Sequence, residues 1–117
     1  GKILPVKGTR FDFTPPEGTA LGNNFYDDSF TGLSYKDGNC DIEIIDPKAD
    51  YCVRITANKI NSAVQVYAPT DKNFVAIEPQ YNLTDPFNEE IWGKEANKGM
   101  VIIEPGAKTD YNIKIGL

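Results

Sequence analysis

The chain has no histidine, and only two cysteines, one methionine and one tryptophan among its 117 residues. Without histidine it cannot build a Ser-His-Asp triad or a Cys-His dyad from its own residues. The usual Cys/His zinc sites go with them, and there is no CxxC pair. No apolar run approaches the ~20 residues that a membrane-spanning helix needs. Basic residues are outnumbered, 12 against 17 acidic, for a net charge of −5. No Lys/Arg cluster forms, so nucleic acid and membrane are both poor partners for it.

Cys40 and Cys52 flank a turn at Pro47-Lys48. If the two segments pair as a hairpin, Cys40 lies well past the partner of Cys52, which predicts two free thiols rather than a bridge. Free thiols suit a reducing compartment and point to the cytoplasm.

What is present is strand after strand. The segment 39–46, "NCDIEIID", alternates cleanly, with Ile42 and Ile44 opposed to Glu43. "PKAD" turns the chain and "YCVRITA" returns. "ILPV", "FDF" at 11–13, the polar-aromatic "NNFYDDSFTGL", "SAVQVYAP", "FVAIEPQ", "MVIIEPG" and "YNIKIGL" read as further extended segments. Only 88–93 suggests a short helical turn. No stretch carries an apolar stripe of helical period over 11 or more residues. Turn signals recur every eight to twelve residues, so the expectation is an all-β, antiparallel β-sandwich.

Period two assigns faces to these strands. Ala63, Gln65 and Tyr67 share one, and Phe74, Ala76, Glu78 and Gln80 share another on the next strand. Two readings stay open for Glu78, which sits in an otherwise apolar run. These faces are either a plain solvated sheet surface, or one wall of a small-molecule site with Tyr67 and Phe74 as its flat apolar part.

Four stretches taken in order are similar to the aldose 1-epimerase (galactose mutarotase) family. They are "ILPVKGTRFDFTPP" with "NNFYDDSFTG", then "AVQVYAP", then "FVAIEPQYNLTDPFN", and finally "GMVIIEPGAKTDYNIKI". In that family the third carries an E-x-Q segment and the last a PG turn. "DPFN" and "IEPG" depart mildly from the commoner patterns. The resemblance extends over nearly the whole chain and corresponds to the C-terminal portion of such a protein. Residues 1–117 are then either a single domain or the C-terminal fragment of a larger domain of galactose mutarotase-like supersandwich fold.

The resemblance implies interconversion of the α and β anomers of a free aldohexose, without metal or redox cofactor. It makes Glu78 the general base at the anomeric hydroxyl. Asp27 and Gln65 become ligands of sugar hydroxyls; a carboxylate accepts, and an amide both donates and accepts. Asp28 receives no role, and Gln80 is expected to support Glu78 or its strand. Phe74, Ala76 and Ile77 are expected to desolvate Glu78 and so raise its basicity toward neutral pH. The family's two acid histidines would lie in an N-terminal part that is not here. The expected partners are a monosaccharide and either that missing half or a second copy of this chain, because half a sandwich leaves sheet edges and apolar surface open. A carbohydrate-binding β-sandwich module without catalysis is the alternative.

Overall fold

The computed structural model describes residues 3–94 and 98–117. Its elements are β1 (Tyr26–Thr31), β2 (Asn39–Asp46), β3 (Tyr51–Asn58), β4 (Ala63–Ala68), β5 (Ala76–Gln80), the single-turn helix α1 (Glu89–Trp92) and β6 (Ile113–Gly116). They form two antiparallel three-stranded sheets, β1-β4-β5 and β2-β3-β6. The architecture is all-β and sandwich-like, as the alternation predicts. The chain passes from one sheet to the other after β1 and returns after β3.

The β2–β3 hairpin forms where "PKAD" sits. Asp46 Oδ1 accepts from the backbone N–H groups of Lys48 and Ala49 at 2.9 and 3.0 Å, so the side chain itself builds the turn. Asp50 closes it with a φ of 53°, a conformation Asp tolerates better than most residues. The register sets Cys40 opposite Ala57 and Cys52 opposite Ile45, and both thiols are free.

The core lies under one face of β1-β4-β5. Tyr26, Val64, Val66 and Ala68 are buried there, packed by Phe11, Phe13, Phe30, Leu33 and Ile77 among others. "FDF" is no strand. It crosses the core face as an irregular segment and contributes Phe11 and Phe13, whose rings meet Tyr26 at 5.8 and 5.7 Å. Such aromatic pairs add about 0.5–1.5 kcal/mol each beyond area burial. Between them, Asp12 turns outward and takes the Thr14 hydroxyl and amide at 2.6 and 3.2 Å.

The expected strand in "MVIIEPG" is also absent. Residues 100–103 are irregular, with Ile102 83% exposed; a β-pattern forms a strand only where an edge pairs with it. The turn within that segment is present, with Ala107 N–H donating to Glu104 O at 2.9 Å. The helical turn at 88–93 narrows to α1, capped by Asn88 Oδ1, which accepts from Ile91 N–H at 3.1 Å.

Candidate functional site

Strand registers decide which side chains meet. Asp27 pairs with Tyr67 and Ser29 with Gln65 across β1–β4. On the other side of β4, Gln65 pairs with Glu78 and Tyr67 with Ala76. Alternation then places Asp27, Ser29, Gln65, Tyr67, Ala76 and Glu78 on one face, opposite the face that carries Tyr26, Val64, Val66 and Ile77. The central strand supplies Gln65, with Asp27 and Glu78 coming from its two neighbours.

Side-chain contacts follow this layout. Gln65 Nε2 donates to Asp27 Oδ1 at 2.8 Å, a diagonal reach across the strand pair that long side chains make readily. Directly opposite pairs such as Gln65 and Glu78 have Cβ atoms about 4.5–5.5 Å apart. All three residues sequence analysis singles out therefore lie on one face of this sheet. The face also holds Ser29 and Phe25, which sequence reading passed over. Their signal was present, since both stand two residues from Asp27 along an extended segment.

The surroundings of Glu78 differ from expectation. Glu78 is exposed, and Phe74 is 53% exposed. Ile77 packs against the core on the opposite face. The expected desolvation by Phe74, Ala76 and Ile77 is therefore not provided: Ile77 points to the opposite side of the strand, and Phe74 and Ala76, although on the face of Glu78, leave its carboxylate exposed. A hydrated carboxylate costs nothing to keep, so the charge in the apolar run needs no partner within the chain. Asp28 shares the strand face of Tyr26 and Phe30, away from Glu78. Gln80 pairs with the buried Ala63, at the covered end of the same face.

Aromatic rings border the polar groups at the open end. Tyr67 lies edge-on to Phe25 at 6.2 Å and tilted to Phe74 at 5.9 Å. Beyond the outer edge of β5, Tyr111 donates its hydroxyl to Pro79 O. Burial, together with the nearby Tyr81 and Glu78, holds the Tyr111 phenol above its ordinary pKa.

A broad open depression lies elsewhere, on β2-β3-β6, lined by Asp41, Arg54, Thr56 and Lys114 among others. Two polar pairs lie there: Arg54 donates to Glu43 Oε1 at 2.6 and 2.8 Å, and Thr56 donates to Asp41 at 2.5 Å. Among the described residues, no three of Cys, Asp and Glu converge as metal ligands, and no helix is long and apolar enough to cross a membrane.

The family model described as aldose 1-epimerase aligns with residues 1–116. No curated protein and no solved structure matches.

Proposed function

The chain belongs to the aldose 1-epimerase family, and from that membership we propose that it supplies the base and the hydroxyl-binding groups of a mutarotase acting on a free aldohexose. The observation that carries this reading is the meeting of Gln65 with Asp27 at 2.8 Å, with Glu78 as its register partner on the same face.

The chemistry asks for few groups. Glu78 takes the proton from the anomeric O1–H. The electron pair of that bond forms the C1=O double bond, the C1–O5 bond breaks, and O5 takes a proton from an acid. Rotation about C1–C2 and the reverse steps return the hydroxyl on the other face. Each positioned group typically contributes ~10²–10⁴-fold. Asp27 and Gln65 hold ring hydroxyls so that O1 meets Glu78.

The acid is the missing part. With no histidine in the sequence, the proton for O5 comes from outside these 117 residues, and water is excluded from Glu78 by the same outside surface. Association with a histidine-bearing segment or polypeptide follows from this reading.

Chemical rescue tests the proposal. Anomer exchange of α-D-galactose and α-D-glucose is followed by NMR with and without imidazole near pH 7, subtracting the buffer's own catalysis. The chain alone should stay near background. Imidazolium should restore a chain-dependent rate that Glu78→Gln removes. Full activity without imidazole, unchanged in Glu78→Gln, overturns the reading.

The lack of histidine also favours a second reading, a carbohydrate-binding module without turnover. Sugar-induced shifts at Gln65 and Asp27, with no anomer exchange under any rescue condition, would select it.

A further inference from the structure

We propose that Phe25, Tyr67 and Phe74 form an aromatic wall that receives the C–H face of the pyranose and fixes how it lies over Gln65 and Glu78. The inference rests on the sugar site proposed above and adds the groups that orient the ring.

Three observations lead to it. First, Phe25 and Phe74 are 51% and 53% exposed, although the core beneath them is made of aromatic and branched residues. A contiguous exposed apolar patch rimmed by polar groups, unlike singly exposed apolar residues, marks an interaction or ligand-binding surface. Second, the three rings form one unit, with Tyr67 at 6.2 Å from Phe25 and 5.9 Å from Phe74. Third, the unit is anchored. Arg10 Nη1 donates to Phe25 O at 2.8 Å, while its guanidinium lies over the Phe11 and Tyr26 rings at 4.2 and 4.8 Å. The segment leading into β1 is thus tied to the core at the residue that presents the outer ring.

The spacing suits a pyranose. Along β4, Gln65 and Tyr67 stand two residues apart, about 7 Å, so a polar row and an aromatic row follow each other at the scale of one sugar ring. Ala76, the first residue of β5, stands opposite Tyr67 and between Phe74 and Glu78 in sequence, and contributes only a methyl group between ring and carboxylate. A pyranose has hydroxyls around its rim and C–H groups on its faces. The rim matches Glu78, Gln65 and Asp27, and a face matches the electron-rich surface of the rings. Asp27 uses Oδ1 to accept from Gln65, and its Oδ2 remains for a hydroxyl.

Saturation-transfer NMR on the intact chain tests this with D-galactose and D-glucose. The variants are Phe25→Ala, Tyr67→Ala, Tyr67→Phe, Phe74→Ala and Phe74→Leu, with Tyr51→Ala on the other sheet as control. The expected result is transfer from protein aromatic protons to ring C–H protons of the sugar. Affinity should fall about two- to tenfold for each alanine variant. Tyr67→Phe should keep it, and Phe74→Leu, which keeps apolar bulk but no π face, should lose it too. Binding that survives the aromatic variants but falls in Asp27→Ala or Gln65→Ala overturns the wall and leaves the sugar site standing. No binding of either sugar to the wild-type chain overturns both.

Discussion

Gln65 reaches diagonally to Asp27 at 2.8 Å while Glu78 stands opposite it on the other side. A neutral amide thus separates two carboxylates, and it holds one of them by its own N–H. Gln65→Glu replaces this with three carboxylates in adjacent positions. Like charges paired across strands cost roughly 0.2–1 kcal/mol, and the donor to Asp27 is lost as well. The variant should unfold at lower urea than wild type. The difference should shrink in about 0.5 M salt, where exposed charges are screened within a few ångströms. An effect indifferent to salt would assign the loss to packing instead.

Glu78→Gln separates stability from chemistry. The residue is exposed, and surface substitutions of this kind stay within about ±0.5 kcal/mol. Denaturant midpoints should therefore coincide with wild type, while the imidazole-rescued exchange rate falls by ~10²–10⁴. A strongly destabilised variant would mean that Glu78 has a structural partner after all.

The two thiols give a third check. Five register positions separate Cys40 from Ile45, the partner of Cys52, or about 17 Å along the strand. A disulfide needs Cα atoms within about 7 Å. Both cysteines should alkylate in denaturant without a reductant. In the native state Cys52 should react first, since Cys40 is buried and burial pushes its thiol up. Intact mass read over time resolves the two additions.

How far the residues announce this structure depends on whether a feature is local. Alternation is local, and it gave β2, β3, β4 and β6 closely, along with the shared face of Gln65 and Tyr67. The turn at Pro47–Asp50 and the turn at Pro105-Gly106 were legible for the same reason. "FDF" alternates and "MVIIEPG" opens on an apolar run, yet neither forms a strand, because pairing depends on an edge elsewhere in the fold. Burial of Glu78 failed as an expectation because run-averaged hydrophobicity ignores the two-sided pleat. Ile77 and Glu78 are neighbours in sequence and lie on opposite surfaces. Phe25 was missed because an aromatic in a polar loop gains meaning only once Tyr67 and Phe74 stand beside it.

Asp12 makes one limb of the acid stability curve predictable. The Thr14 hydroxyl, then the backbone N–H groups of Thr14 and Gly8, hold its carboxyl below the ordinary 3.8. A carboxyl depressed in the folded state contributes stability above its unfolded value. That contribution is lost as pH falls through the folded value, below 3.8. Asp12→Asn keeps an acceptor for Thr14 but cannot titrate. Urea midpoints of the variant should therefore fall less steeply than wild type between about pH 4 and pH 2. Parallel curves would show that the hydrogen bonds at Asp12 do not survive in solution.

Gly99 and Gly106 separate two costs that usually come together. Both have positive φ, 71° and 81°, so an alanine at either pays the left-handed penalty of roughly 1–2 kcal/mol. At Gly106 nothing lies within 4 Å of the added methyl. At Gly99 it would collide with Ser62 Oγ and with the backbone oxygen of Tyr81. Those two atoms are themselves hydrogen-bonded, tying the approach to β4 to the exit from β5, one step outside the Ala63–Gln80 pair. Gly99→Ala should therefore destabilise by about 1–3 kcal/mol more than Gly106→Ala, the range for overpacking. Ser62→Gly should recover only part of the difference, since Tyr81 O cannot rotate away. Equal midpoints for the two alanine variants would mean that the tie between β4 and β5, and with it the register that sets Gln65 beside Glu78, is held by something other than this contact.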